Sequence, residues 1–165
     1  MKTAVVTGAC TNTGVDIVNK FLSEGVRVVF TGRSPEKVAA ALQRYRKNYP
    51  GADVLGYALN SVTEDAAVDE KGVDDFFSFL DNEKITADIL VLNAADQGLG
   101  MKIFENPLSD FINVINTNMI WNYLIVELSA KRMINEGGGN IIFINSIFVP
   151  CASNFNKTSS IWNKT

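Results

Sequence analysis

Residues Ala4 to Gly14 read AVVTGACTNTG. An apolar, β-branched run breaks at Thr7-Gly8, and a second glycine follows at Gly14. That pattern predicts a buried strand, a tight loop and the start of a helix. A helix N-terminus offers unpaired N–H groups and the positive end of a dipole, so it favours a phosphate. Glycines let the chain turn sharply and let a pyrophosphate approach the backbone. The Gly-x-Gly-x-x-Gly fingerprint is not met, because Asn12 stands where a further glycine would serve. Taken alone, the stretch fits both a phosphate cradle and an ordinary strand-to-helix turn.

The same alternation continues downstream. Strands are predicted at 3–7, 27–31, 53–59, 88–93 and 140–145. They are nearly continuous in Val, Ile, Leu and Phe, as in strands covered on both faces of a parallel sheet. Helices are predicted at 14–24, 35–48, 73–82 and 109–135, the last with a bend near Asn118. Ser34-Pro35-Glu36 reads as an N-cap followed by proline in the first turn, and the triple glycine 137–139 stops the long helix. The order βαβαβαβαβ predicts a doubly wound α/β fold of three layers, one domain over residues 1–165.

Composition narrows the function. Hydrophobic residues make up 47% and charged residues 20% of 165 residues, an ordinary globular mix. The net charge is −3, and the only dense basic spot, Arg44 to Lys47, reads as a helix C-terminus. Nucleic-acid binding through a basic face is not expected. No apolar run reaches the roughly 18 residues of a membrane span. Two cysteines, Cys10 and Cys151, make no disulfide framework, and a cytoplasmic setting is expected. There is no histidine, the usual general base and commonest metal ligand, and no metal site is expected.

Thr7-Gly8-x-x-x-Asn12-x-Gly14 resembles the TGxxxGxG cofactor loop of the short-chain dehydrogenases/reductases. Three more landmarks follow in that family's order. Val91 to Ala95 (VLNAA) resembles VNNAG, Thr117-Asn118-Met119 resembles VNL, and Ile144 to Ile147 (INSI) is similar to the serine-bearing strand end. The resemblance implies a Rossmann fold and NAD(P)(H)-dependent hydride transfer on a small-molecule carbonyl or alcohol. It places the cofactor phosphates on Gly8, Thr11, Asn12, Thr13 and Gly14, and the nicotinamide side on Asn93, Ala94 and Ala95. At the end of the second strand, members that prefer NAD usually carry an acid. Here Gly32 is followed by Arg33 and Ser34, so NADP is favoured, with NAD as the alternative. A solvated arginine at a helix start is the plainer account of Arg33. Where members often show DVTD against the adenine, this chain has Ser61-Val62-Thr63-Glu64. Ser61 or Thr63 would serve equally well as a helix cap.

The resemblance also assigns chemistry. Ser146 would hold the substrate oxygen, and Asn118 would hold a water in the proton relay. Each has a plainer account, as a serine ending a strand and a polar residue bending a helix. The family's acid is the Tyr of YxxxK, whose phenol is made acidic enough for the task by its neighbours. Here Lys164 is left for the lysine, and the tyrosine position falls on Ser160; no tyrosine follows Tyr123. The other alignment makes 149–157 a long substrate loop and leaves Lys164 unmatched. Family members are commonly half as long again, so the chain is read as C-terminally truncated. Impaired catalysis is expected, with a non-catalytic dinucleotide-binding domain as the alternative. An exposed edge at 140–145 and an apolar helix 109–135 predict a homo-oligomer.

Overall fold

The computed structural model describes residues 1–98 and 105–145. Five strands form one parallel sheet: β1 (Thr3–Val6), β2 (Arg27–Gly32), β3 (Val54–Ala58), β4 (Ile89–Leu92) and β5 (Asn140–Phe143). Their spatial order is β3-β2-β1-β4-β5. The chain therefore starts at the centre, winds outward through β2 and β3, then crosses to the other side of β1. That reversal opens a crevice at the C-terminal ends of β1 and β4, where doubly wound sheets hold their ligands. The doubly wound Rossmann architecture matches the expectation.

The continuous apolar runs follow from burial on both faces. Val6, Val28, Phe30 and Val91 pack with Val18 and Leu22 of α1 (Asn12–Ser23) and with Val38, Ala41 and Tyr45 of α2 (Pro35–Asn48). Their neighbours Val5, Val29, Leu90 and Leu92 point the other way. There they meet Phe76, Phe77 and Leu80 of α3 (Glu70–Asn82) and Trp121, Ile125 and Met133 of the last helix. The period-2 alternation is present, but both faces need apolar residues, so it does not show in composition.

The expected helix 109–135 is one rod with a joint. It consists of α4 (Leu108–Ile115), a wide π-turn (Asn116–Ile120) and α5 (Trp121–Asn135). The predicted bend near Asn118 coincides with that turn. The glycine stop is a Schellman closure: Gly138 N–H donates to Met133 O at 2.7 Å and Gly137 N–H to Ile134 O at 3.3 Å, with Gly137 at φ 94°. Arg46 and Lys47 lie in the last turn of α2, as read.

Two expectations need correction. First, β5 is not covered on both faces as its apolar run suggests, although its place at a sheet edge is as expected; β3, the other edge, packs Val54 on one face and Leu55 and Tyr57 on the other. β5 is largely exposed, with Phe143 58% accessible. Second, α3 starts earlier than predicted, and neither Ser61 nor Thr63 caps it. Asp69 does, accepting from Gly72 N–H at 2.9 Å. Thr63 instead bonds Asp65 and the Ala67 carbonyl inside a turn. No helix among the described residues is long and apolar enough to cross a membrane.

Candidate functional site

The loop between β1 and α1 is fastened to the end of β4 by side chains from both sides. Thr7 is fully buried, and its Oγ1 accepts from the backbone N–H groups of Asn93 and Ala94, each at 3.0 Å. Asn93 returns the contact: its Nδ2 donates to Thr7 O at 3.1 Å and Gly8 O at 3.0 Å. The glycines answer to this close fit. A Cβ on Gly8 would stand 2.7 Å from Ala94 Cα, and one on Gly14 2.6 Å from Gly8 O. Gly8 has φ 66° and Asn12 φ 50°, both left-handed. Asparagine is among the few residues that visit this region routinely, which accounts for Asn12 where a glycine would serve.

The N-terminus of α1 is uncapped. Thr11 precedes it without a side-chain cap bond, and its first turn holds no acid. By contrast, Ser34 caps α2, accepting from Lys37 N–H at 3.3 Å and donating to Glu36, and Asp69 caps α3. The open N–H groups of α1 face a cleft of about 560 Å³ at the crevice between β1 and β4. Gly8, Thr11, Asn12, Thr13, Gly14, Arg33, Ser34, Ser61, Asn93, Ala94 and Ala95 all line it. Among the described residues Arg33 and Lys37, both exposed at this wall, have no ion-pair partner. The cleft thus offers helix N–H groups and two free cations, a donor set suited to phosphates.

Cys10 lies at the same wall. Burial pushes its thiol up from the usual range, while Arg44 and Lys37 partly oppose that. Its backbone carbonyl accepts from Arg44 Nη2 at 3.2 Å. Beneath it, Tyr45 Oη donates to Ala9 O at 2.6 Å, a buried bond that ties α2 to the loop.

At the far side, Ser61 and Thr117 share a buried hydroxyl contact of 3.0 Å. Val62 lines not this cleft but an adjoining hollow of about 430 Å³, which shares Arg33, Ser61, Asp96 and Thr117 with it. Asn118 is not among the lining residues. Its Oδ1 accepts from Asp96 N–H at 2.8 Å and its Nδ2 donates to Asp96 O at 2.7 Å, so its amide clamps the segment after β4. Asp96 adds its own fastening, with Oδ2 accepting from Asn113 Nδ2 and Oδ1 from Gly98 N–H. Ser146 and Lys164 lie outside the described residues.

Sequence reasoning missed several residues here. Lys37 lies in the first turn of α2, four residues after Arg33, and that proximity could have found it. Thr7, Cys10, Asp96 and Trp121 could not be picked out, because their roles depend on which strands become neighbours. Among the described residues no group of three or more His, Cys, Asp and Glu side chains could hold a metal ion.

Comparison with known proteins fits this geometry. The family model described as short chain dehydrogenase matches residues 2–155. The chain is 29% identical over 148 residues to a 3-oxoacyl-(acyl-carrier-protein) reductase, FabG, of Aquifex aeolicus, a match covering 88% of this chain and 56% of that protein. A metagenomic short-chain oxidoreductase solved with NADP superposes with TM-score 0.76 at 28% identity, covering 88% of this chain and 62% of that one. L-sorbose reductase from Gluconobacter frateurii, solved with NADPH and L-sorbose, gives TM-score 0.77 at 27% identity over 88% and 52%. The chain spans between about half and two thirds of the length of these relatives. With the sheet order, the fastened loop and the family model agreeing over nearly its whole length, the chain belongs to the short-chain dehydrogenases.

Proposed function

We propose that the chain forms the NADP(H)-binding part of a short-chain oxidoreductase that acts on a carbonyl or an alcohol. The observation that carries this is the cleft at the β1–β4 crevice, with its uncapped helix and two unpaired cations. Gly8 and Thr11 to Gly14 would take the pyrophosphate, with Asn93 to Ala95 on the nicotinamide side. Arg33 and Lys37, with Ser34 beside them, would take the 2′-phosphate, and Ser61 with Val62 the base. Position 32 at the end of β2 is a glycine, and Asp96, the one carboxylate among the described residues that line the cleft, belongs to the segment after β4. NAD(H) remains the competing ligand. The relatives solved with NADP and NADPH support the choice.

When bound, the nicotinamide would give or take a hydride. Ser146 would hold the substrate oxygen, Asn118 would position the segment after β4 for the relay, and Lys164 is the candidate lysine. These 165 residues carry no tyrosine after Tyr123, so no group of suitable acidity completes the set. Impaired turnover by these 165 residues is proposed, with a non-catalytic dinucleotide-binding domain as the second reading. Self-association is proposed through the outer face of α4–α5, where Leu108, Phe111, Met119 and Tyr123 are exposed, or through the β5 edge.

Titration with NADPH, followed by nicotinamide fluorescence, tests the reading. Saturation in the micromolar range is expected, with NADH weaker. No saturation up to millimolar NADPH sinks it. Arg33→Asp should reverse the preference; an unchanged ratio removes Arg33 from the site. Steady NADPH oxidation that Ser146→Ala abolishes would overturn the claim of impaired turnover.

A further inference from the structure

We propose that Cys10 is a cofactor-specificity residue: its thiol fills the space that a side chain at position 32 needs, and so keeps a carboxylate out of the ribose wall. This rests on the NADP(H) reading above.

Gly32 ends β2, is buried, and pairs with Ala58 of β3. The end of the second strand is where dinucleotide sites of this fold place an Asp or Glu to bind the ribose 2′-hydroxyl. Such a carboxylate must start from a Cβ. A Cβ on Gly32 would lie 2.3 Å from Cys10 Sγ and 3.2 Å from Val38 Cγ2. The first distance is far inside contact range, and the second is tight.

Cys10 cannot simply back away, because its loop is held on both sides. Ala9 N–H donates to Thr31 O at 2.9 Å, Tyr45 Oη reaches Ala9 O, and Arg44 holds the Cys10 carbonyl. Relief must come from turning the thiol about its own Cα–Cβ bond or from shifting the strand end. Arg33 and Lys37 favour a phosphorylated ribose by attraction. Cys10 disfavours the unphosphorylated one by denying its usual partner a place, and discrimination can be built from either device.

Two measurements test this. The first is thermal unfolding of wild type, Gly32→Ala, Cys10→Ala and the double variant. Gly32→Ala should lower Tm, and adding Cys10→Ala should recover more than half of that loss, with Val38 accounting for the rest. An equal loss in both backgrounds overturns the proposal, and no cofactor enters this readout. The second is the ratio of NADH to NADPH dissociation constants, read by nicotinamide fluorescence. Gly32→Asp alone should move it less than threefold toward NADH, and Cys10→Ala/Gly32→Asp at least tenfold. A single variant that shifts preference as far as the double one overturns the proposal. If wild type binds neither dinucleotide, the cofactor reading has failed and the specificity claim falls with it. The unfolding cycle then still reports whether the thiol fills the space.

Discussion

Replacing Thr7 by valine should weaken the junction between the two halves of the sheet without changing its shape. Valine keeps the branched Cβ, so no cavity opens and strand propensity is retained. Only the Oγ1 acceptor is lost, together with its two bonds of 3.0 Å to Asn93 N–H and Ala94 N–H. An orphaned buried donor costs about 1–3 kcal/mol. Both donors here are part-buried, so the lower half of that range applies to each, giving about 2–4 kcal/mol in total. A domain of this size has about 5–15 kcal/mol of stability, and each kcal/mol moves Tm by about 2–4 °C. The expected fall is therefore about 4–16 °C, read by circular dichroism at 222 nm. Thr7→Ser keeps the acceptor and should lose only about 1 kcal/mol, the worth of one buried methyl. A valine variant within about 2 °C of wild type, or a serine variant as weak as the valine one, refutes the assignment of stability to these bonds.

Three further outcomes are expected. Tyr45→Phe strands the Ala9 carbonyl in the core and should cost about 1–2 kcal/mol, measured as a lower urea midpoint at constant slope. Asn12→Ala should cost about 1 kcal/mol by Tm, because alanine resists the left-handed backbone, whereas Asn12→Gly should cost nothing; equal losses would remove backbone strain as the cause. Arg132, which pairs with Asp81 at 3.0 and 2.6 Å, holds that carboxyl below its usual range. Stability from the pair is then full above the ordinary carboxylate pKa and lost as pH falls through the lowered one. Since Asp81 is largely exposed, Asp81→Asn should cost only about 0.2–1 kcal/mol at pH 7, and the difference from wild type should shrink as pH falls below the carboxylate range, by urea unfolding across that range.

Much of the architecture could be read because a parallel sheet writes itself as apolar runs. AVV, VVF and the LVL of β4 are each buried on both faces. Pro35 and the glycines at 137–139 marked their boundaries through backbone chemistry that does not depend on the rest of the fold. The edges were harder. IIF in β5 has the composition of a central strand; its place at an edge followed from the family resemblance rather than from its own residues, and the pairing order bears that out. Ser61 looked like a cap because acids follow it, but Asp69 lies closer to the true start of α3 and takes the role. The residues of the β1–α1 loop that line the cleft were legible by spacing from Gly8. The residues that hold that loop in place were not, since Asn93 reaches across 85 residues to Gly8. Cys10 looked like a spacer for the same reason: the strand end that its thiol touches is distant in sequence.

The π-turn at Asn116–Ile120 has a consequence for how this chain tolerates change. A wide turn adds one residue to a helix without adding a revolution, so it shifts the angular phase of everything beyond it by about 100°. After it, Trp121, Ile125, Ser129 and Met133 are buried at four-residue steps, while Tyr123 stands outward, as do Met119 and Ile120 within the turn itself. Deleting one residue between 116 and 120 would close the turn to ordinary α-helix and rotate one segment against the other. Either Trp121 and Ile125 would leave the sheet, or Asn113 would lose Asp96. The joint thus works as a fixed angular offset between the stretch that carries Asn113 to Asp96 and the stretch that covers the core. A single-residue deletion there is far more damaging than one among Gly137–Gly139, where the chain has already left the helix.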